Sequence, residues 1–205
     1  GGDVSFDWSL MLKRKDLVVK KLTMGVGGLL KKNGVEVISG LGKVLSPTKI
    51  EVNGETIETK NLILATGASP IIPPIPGLKE AYEKKIAVTS RELLQIADAP
   101  KKLVIIGGGV IGVEFATIFS SLGSEVTIIE KLDGIVPMMD DDIRTQYAKI
   151  LKKDGITIFV NAEVKAVNGH EVTYSFDGKD EKISADTILV SVGMRPNSQG
   201  LEVLN

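Results

Sequence analysis

A glycine-rich segment limits the fold of this chain more than any other feature. Residues 107–112 read Gly-Gly-Gly-Val-Ile-Gly, and they follow an apolar run and open a segment with helical spacing, Val110–Leu122. In a strand–turn–helix unit, Gly107 permits the tight turn, Gly109 lets the backbone approach a pyrophosphate, and Gly112 lets the helix pack close to the strand. The free N–H groups of the helix N-terminus then face the anion. The pattern predicts a dinucleotide site, and a tight turn without a ligand is the alternative.

The segments around this turn alternate in the manner of a parallel α/β sheet. Strand and helix patterns succeed each other, three alternating segments separated by Asn-Gly and Asp-Gly follow, and a last buried strand returns to the sheet. The sequence therefore predicts a Rossmann-like α/β domain, a parallel sheet with an antiparallel three-strand meander. Its predicted elements are Leu103–Ile106, Val110–Leu122, Glu125–Glu130, Asp140–Lys153, Thr157–Phe159, Glu163–Asn168, Glu171–Phe176, Glu181–Ser184 and Thr187–Val192.

The residues before Lys101 predict a second, smaller group of elements. A long helix is expected from Phe6 to Lys32, where Asn33-Gly34 forms a stop signal. Short strands are expected next, with Asn53-Gly54 as a hairpin turn, and the proline-rich stretch Ile71–Gly77 is expected to be an extended linker. The predicted strands are Val35–Ser39, Lys43–Leu45, Lys49–Val52, Thr56–Thr59 and a buried strand, Asn61–Ala65. The layout of Asn61–Ala65 resembles that of Thr187–Val192, because each follows a meander and precedes a glycine.

An acidic residue follows the second strand of the glycine-rich unit. Glu130 lies about 20 residues after the glycines, where a carboxylate accepts hydrogen bonds from the adenosine ribose and repels a 2′-phosphate. Lys131 and Leu132 supply no arginine for such a phosphate, although the Lys131 side chain is long enough to turn inward. The sequence therefore favours NAD over NADP.

Composition excludes several other classes of function. A formal net charge of −1 gives no support for binding nucleic acid or a membrane surface. The 205 residues contain no cysteine and one histidine, which leaves no thiol redox centre and little material for a metal site. We expect no metal ligands, no catalytic nucleophile and no membrane span, and the chain start lacks a signal-peptide pattern, so a cytoplasmic location is expected.

Several strings together are similar to the dihydrolipoamide dehydrogenases, within the flavin-dependent pyridine nucleotide-disulfide oxidoreductases. The resemblance covers nearly the whole chain, and its strings are Leu22–Val26, Leu29–Asn33, Ile38–Gly42, Leu64–Ala68, Ile105–Ala116, Val126–Glu130 and Val192–Asn197. It implies an FAD domain interrupted by an NAD domain. Residues 1–80 would be the second half of the first FAD segment, 81–197 the NAD-binding Rossmann domain and 198–205 the return to the FAD domain. The FAD fingerprint, the redox cysteines and the dimerisation domain would lie outside this sequence.

The resemblance also implies roles for individual residues. It assigns the NAD pyrophosphate to the three motif glycines, the adenosine ribose to Glu130, the adenine to Val164, the nicotinamide half to Gly193 and the surroundings of the carboxamide to Glu114. Contacts to FAD are implied for Gly42, Thr66 and Gly67. Glu114 would also suit an exposed first-turn acid, and Thr66-Gly67 a simple strand-ending turn. One departure is Met194, which separates Gly193 from Arg195 and leaves the role of that arginine open.

By resemblance, the parent enzyme oxidises dihydrolipoamide through a disulfide and FAD and passes hydride to NAD. Its expected partners are NAD(H), a second copy in a homodimer, and the lipoyl domains of 2-oxoacid dehydrogenase complexes. An NADH-dependent flavoprotein reductase of another acceptor, such as coenzyme A disulfide, peroxide or mercuric ion, is the alternative within the superfamily. The 205 residues by themselves suit a nucleotide-binding module without catalysis, because no nucleophile or acid–base pair is present.

Overall fold

The protein is described by a computed structural model for residues 5–201, in two compact units. The first unit comprises the residues up to Leu12 together with Pro70–Met194, and the second comprises Lys13–Ser69 together with the residues from Arg195 onward. The elements in chain order are α1 (Trp8–Lys32), β1 (Lys43–Ser46), β2 (Lys49–Val52), β3 (Glu55–Glu58), β4 (Ala68–Pro70), α2 (Leu78–Glu83), β5 (Ala87–Val88), α3 (Ser90–Leu93), β6 (Lys102–Ile106), α4 (Val110–Ser121), β7 (Glu125–Ile129), α5 (Asp141–Lys153), β8 (Thr157–Phe159), β9 (Glu163–Asn168), β10 (Glu171–Phe176), β11 (Lys179–Ser184), β12 (Thr187–Val190) and β13 (Met194–Pro196).

A five-stranded parallel sheet forms the centre of the first unit. Its strand order is β5-β12-β6-β7-β8, so the chain runs outward from β6 through β7 to β8 and then returns with β12 on the other side of β6. The inner strands are continuous apolar runs because helices or a second sheet cover both of their faces. The predicted Rossmann-like fold and its meander, β9–β10–β11, are confirmed, with strand and helix bounds shifted by one or two residues.

Successive residues of the central strands face two different apolar cores. Leu103 and Ile105 pack with α4 and α5 residues such as Phe119 and Leu151 on one face. Their neighbours Val104 and Ile106 pack with the meander and α2 on the other face, as do Ile188 and Val190 of β12. This alternation is the period of two that an extended strand imposes on its side chains.

Three short elements between the two predicted groups were missed. These are α2, β5 and α3, of which β5 pairs with β12 at the edge of the parallel sheet. A strand of two residues has no measurable alternation. The capping box of α3 was visible in the sequence, since Thr89 and Glu92 have the required spacing, and the structure shows both of its hydrogen bonds.

The second unit contains most of α1 and the antiparallel sheet β1-β2-β3. The predicted helix stop is confirmed, because α1 ends at Lys32 and Gly34 has φ +68°, although the helix begins at Trp8 rather than Phe6. The predicted hairpin is also confirmed: Asn53 and Gly54 join β2 to β3 with φ values of 52° and 82°. The strands β4 and β13 pair with each other, and the chain passes between the two units within them.

Two predicted strands of the second unit are wrong. Val35–Ser39 and Asn61–Ala65 have no regular secondary structure, and the predicted burial of Asn61–Ala65 is also wrong, since Ile63 is 88% exposed. Both runs have strand-like composition, but none of the described strands pairs with them. A strand is stabilised by its ladder partners and by packing on its faces, so composition alone does not form one.

Candidate nucleotide-binding site

A cavity of about 760 Å³ lies at the carboxyl ends of β6, β7 and β12. This is the point at which the strand order reverses, because β7 and β12 lie on opposite sides of β6. Ligands of open α/β sheets bind in the crevice at such a switch point. Residues of the first unit line the cavity: Pro73, Pro74, Ile75, Ile106, Gly107, Gly109, Val110, Ile111, Ile129, Glu130, Lys131, Leu132, Pro137, Ala162, Glu163, Val164, Ser191, Val192 and Gly193.

At each of the three motif glycines, the backbone conformation or the close packing agrees with the role that the sequence predicted. Gly107 has φ +103°, and a Cβ at this position would lie 2.7 Å from the Ser191 carbonyl oxygen. A Cβ at Gly112 would lie 2.2 Å from the Gly107 oxygen, so only glycine allows this approach of helix to strand. A Cβ at Gly109 would meet nothing within 4 Å, which leaves its backbone open to the cavity.

The N-terminus of α4 opens into the cavity. Its N-cap residue is Gly109, so no side chain caps the first turn, and Val110 and Ile111 also line the cavity. Unpaired N–H groups and the positive end of the helix dipole favour an anion at this place. The geometry suits a phosphate held by backbone atoms.

Two features of this turn, the hydrogen bond from Ser191 and the packing of Ile135 against Gly108, were not predicted from the sequence. The Ser191 hydroxyl donates a hydrogen bond of 2.9 Å to the Gly107 oxygen and thereby fixes the turn from β12. Gly108 occupies a variable position of the motif, yet a Cβ there would lie 2.9 Å from the Ile135 side chain. A serine directly after a buried strand was the only sequence signal for Ser191, and nothing in the sequence brought Ile135 near Gly108.

Glu130 lies directly after β7 and is 7% exposed. Its Oε2 accepts a hydrogen bond of 2.6 Å from the Gly108 N–H, and its Oε1 accepts one of 2.7 Å from the Leu132 N–H. Each carboxylate oxygen has a further lone pair that can accept from a hydroxyl. Glu130 therefore joins the glycine turn to the end of β7 and also lines the cavity.

The remaining predicted NAD residues divide into two groups. Val164 on β9, which is buried, and Gly193, which has φ +133°, both line the cavity with Glu130 and the turn. Glu114 is exposed on α4 and is not among the lining residues. The cavity thus brings together five of the seven predicted NAD positions, which are Gly107, Gly109, Glu130, Val164 and Gly193. Gly112 is buried in α4 and Glu114 is exposed, and neither lines the cavity.

An ion-pair cluster lies at the edge of the cavity next to Glu130. The Lys131 Nζ lies 2.7 Å from Oε1 of Glu163, and Lys165 Nζ donates to the other carboxylate oxygen. Hydrogen bonds from Lys131 and Lys165 lower the pKa of Glu163 to about 2. The sequence contained these residues, but only the fold places β9 beside the end of β7.

The residues predicted to contact FAD lie in the second unit. The Thr66 hydroxyl donates to the Asn197 carbonyl oxygen at 2.7 Å, and the Asn197 N–H donates to the Gly67 carbonyl oxygen at 3.0 Å. Gly67 has φ +73°, which a glycine adopts without strain. Gly42 directly precedes β1, where a Cβ would touch Ile50 at 3.5 Å. The role of Asn197 in holding this turn was not predicted.

The described residues also bear on two other classes of site. Among residues 5–201, no group of three or more metal-ligating side chains comes together. Within the same residues, no helix has the length and apolarity that crossing a bilayer requires.

Comparisons with known proteins support the same family as the sequence motifs. The family model described as pyridine nucleotide-disulphide oxidoreductase matches residues 5–205. A dihydrolipoyl dehydrogenase of Acholeplasma laidlawii is 63% identical over 99% of this chain and 60% of its own length. One from Mycoplasma pneumoniae is 40% identical over 100% of this chain and 45% of its own length.

A solved structure is similar over most of the chain as well. The HOCl-induced flavoprotein disulfide reductase RclA from Escherichia coli superimposes with a TM-score of 0.81 at 30% identity, over 96% of this chain and 45% of that one. The chain thus spans between 45% and 60% of the length of these proteins.

Proposed function

The chain belongs to the pyridine nucleotide-disulphide oxidoreductase family, and from this premise we propose that it is the NAD-binding part of a dihydrolipoyl dehydrogenase. The observation that carries the proposal is the cavity at the switch point. It combines the glycine turn, the uncapped N-terminus of α4 and the buried carboxylate of Glu130. These are the three parts that a pyrophosphate and an unmodified ribose require.

Each predicted residue has a place in this proposal. Gly107, Gly109 and Gly112 let backbone N–H groups reach the pyrophosphate, and Glu130 accepts from the ribose hydroxyls. Val164 and Gly193 provide apolar and backbone contacts to the adenine and nicotinamide ends. Glu114, which is exposed, acts only where a further part of the enzyme covers α4.

FAD is the second proposed cofactor. The turn formed by Thr66 and Gly67 presents exposed backbone and is held by Asn197, which suits contact with a large planar or diphosphate group. Gly42 is the third proposed contact. When bound, FAD supplies the electron transfer between a disulfide and the nicotinamide, and the residues of this chain bind and orient the two cofactors. From the same family resemblance we propose that residues 1–80 belong to the FAD domain, residues 81–197 form the NAD-binding domain and residues 198–205 return to the FAD domain.

The activity of the whole enzyme is inferred from its relatives. We propose oxidation of protein-bound dihydrolipoamide with NAD as acceptor, in a homodimer that serves 2-oxoacid dehydrogenase complexes in the cytoplasm. The relatives from Acholeplasma laidlawii and Mycoplasma pneumoniae are dihydrolipoyl dehydrogenases, which supports dihydrolipoamide as the substrate. Reduction of a different disulfide is the second candidate, and the similarity to RclA favours it. Lipoamide turnover by the whole enzyme, measured against other disulfides, decides between them.

Calorimetric titration of the chain with NADH and NADPH tests the binding site. We expect NADH to bind and Glu130→Ala to weaken it about 10- to 100-fold, because hydrogen bonds to a charged group are lost. Glu130→Gln keeps the size of the side chain and one acceptor oxygen, although its amide nitrogen cannot accept the second backbone N–H, so the loss should be smaller than for Glu130→Ala. Glu125→Ala is the matched control: it lies on the same strand, at the end away from the cavity. Equal effects of the substitutions at 125 and 130, or no NADH binding, would contradict the proposal.

A further inference from the structure

We propose that Glu163 is a specificity-determining residue that excludes NADP(H), because it forms an ion pair with Lys131, the only cationic side chain among the described residues that line the cavity. The inference rests on the proposed nucleotide site and goes beyond it. It assigns part of the choice between the two nucleotides to a residue on β9, a strand that belongs to the meander rather than to the parallel sheet.

Backbone hydrogen bonds fix the position of this pair. The Ala162 N–H donates to the Glu130 oxygen at 2.9 Å, and the Asn161 N–H donates to the Leu132 oxygen at 2.8 Å. The residues on either side of Lys131 are therefore tied to the segment that leads into Glu163. The two side chains lie close together because these hydrogen bonds hold the end of β7 beside the segment that leads into β9.

The cluster leaves no net positive charge to attract a phosphate. Glu163 shares its carboxylate between Lys131 and Lys165, and Glu130 adds a second negative charge in the same wall of the cavity. Two cations and two anions sum to zero in this region. With its pKa lowered to about 2 by the two lysines, Glu163 is ionised throughout the physiological range.

The two nucleotides differ by one phosphate on the adenosine ribose. A 2′-hydroxyl can donate to Glu130, whereas a 2′-phosphate carries a charge of about −1.5 to −2 and needs cations around it. At this edge the phosphate would meet two carboxylates and one lysine already engaged by one of them. Lys131 is long and 72% exposed, so it can turn toward a phosphate once its partner is removed.

The test is Glu163→Gln, titrated calorimetrically with NADH and NADPH. We expect NADPH affinity to rise about tenfold, because a repulsive charge is removed and Lys131 becomes available, and NADH affinity to change less than about twofold. The gain should shrink at high salt, since exposed charges are screened. Glu171→Gln is the matched control: Glu171 also pairs with a lysine in the meander, Lys182 at 2.7 Å, but does not line the cavity.

A second variant separates the lysine from the carboxylate. Lys131→Gln in the Glu163→Gln background should remove most of the NADPH gain, which assigns that gain to Lys131. An unchanged NADPH affinity in Glu163→Gln, or an equal gain in Glu171→Gln, would overturn the inference while NADH binding stands. Failure of the unaltered chain to bind NADH would overturn the proposed function and this inference together.

Discussion

Two segments with nearly the same local pattern have opposite structures in this protein. Asn61–Ala65 and Thr187–Val190 are both apolar runs that follow a three-stranded antiparallel sheet and precede a glycine. Thr187–Val190 is a strand with all of its residues buried, whereas Asn61–Ala65 is irregular and mostly exposed. Composition and local order therefore do not explain the difference.

The difference lies in what surrounds each segment. Strand β12 pairs with β5 on one side and β6 on the other, and Ile188 and Leu189 face opposite apolar cores. Asn61–Ala65 has no ladder partner among the described strands. A parallel strand depends on contacts that are distant in sequence. An apolar run therefore indicates that a segment can be buried in a sheet, but it does not show which strands pair with it.

The helices repeat the contrast. The 25 residues of α1 include none that is buried, although the helix carries many apolar side chains. The 12 residues of α4 bury five, including Phe115 and Phe119. Helical periodicity predicted both helices correctly, and of the two only α4 contributes buried residues to a core that it shares with a sheet.

The largest expected effect compares the two apolar runs directly. Ile188→Ala should lower the free energy of unfolding by about 2–5 kcal/mol, because it leaves a cavity in a closed core, and Ile63→Ala should change it by less than about 0.5 kcal/mol. Urea unfolding followed by circular dichroism measures both. A large loss for Ile63→Ala would show that residues 61–65 are covered in solution.

Glycines in the two helices should respond in opposite directions. Gly112→Ala places a Cβ at 2.2 Å from the Gly107 oxygen, so α4 must move. We expect a loss of about 1–3 kcal/mol in unfolding free energy and weaker NADH binding. Gly28→Ala in α1 meets nothing within 4 Å and should stabilise the helix by about 0.5–1 kcal/mol. Thermal unfolding and NADH titration of both variants test the pair, and a harmless Gly112→Ala would contradict it.

The smallest expected effect distinguishes the two meanders. The two lysines lower the pKa of Glu163 from 4.5, its ordinary value, to about 2, so the stabilisation by the ionised carboxylate is present above about pH 4.5 and is lost as the pH falls toward 2. Glu163→Gln should therefore make stability less dependent on pH in this window. The comparison variant is Glu58→Gln, which removes a carboxylate with a single lysine partner, Lys49, in the antiparallel sheet β1-β2-β3.

NMR titration of the Glu163 carboxyl measures the same shift without unfolding the protein. Its midpoint should rise in Lys131→Gln, because the first of the two lysine hydrogen bonds is lost. A midpoint that does not move would show that Lys131 contributes nothing to the shift.

Sequence patterns were sufficient wherever a local constraint determined the structure. The turn at 107–112 was predicted because its glycines meet a steric limit within the same strand–helix unit, and the Asn53-Gly54 hairpin because both residues adopt positive φ. The edge strand β5 was not predicted, since two residues cannot show a period. Its place beside β12 depends on a partner about 100 residues away.

The site shows the same limit. Glu130 and Val164 were predicted from motif spacing and from family resemblance, and both line the cavity. Ser191 and the pairing of Lys131 with Glu163 were not predicted, because they arise where β7, β9 and β12 end close together. Local patterns in a single sequence do not show which strand ends lie next to each other in the fold.

The pairing of β4 with β13 has a consequence for how the chain is assembled. The Ile71 N–H donates to the Gly193 oxygen at 3.0 Å, so the two ends of the segment between these residues lie next to each other. Once this segment has folded, its own structure holds its ends together. Folding of the flanking residues then no longer includes the entropic cost of closing so long a loop. For the residues on either side, the whole parallel sheet has the same topological role as a hairpin turn.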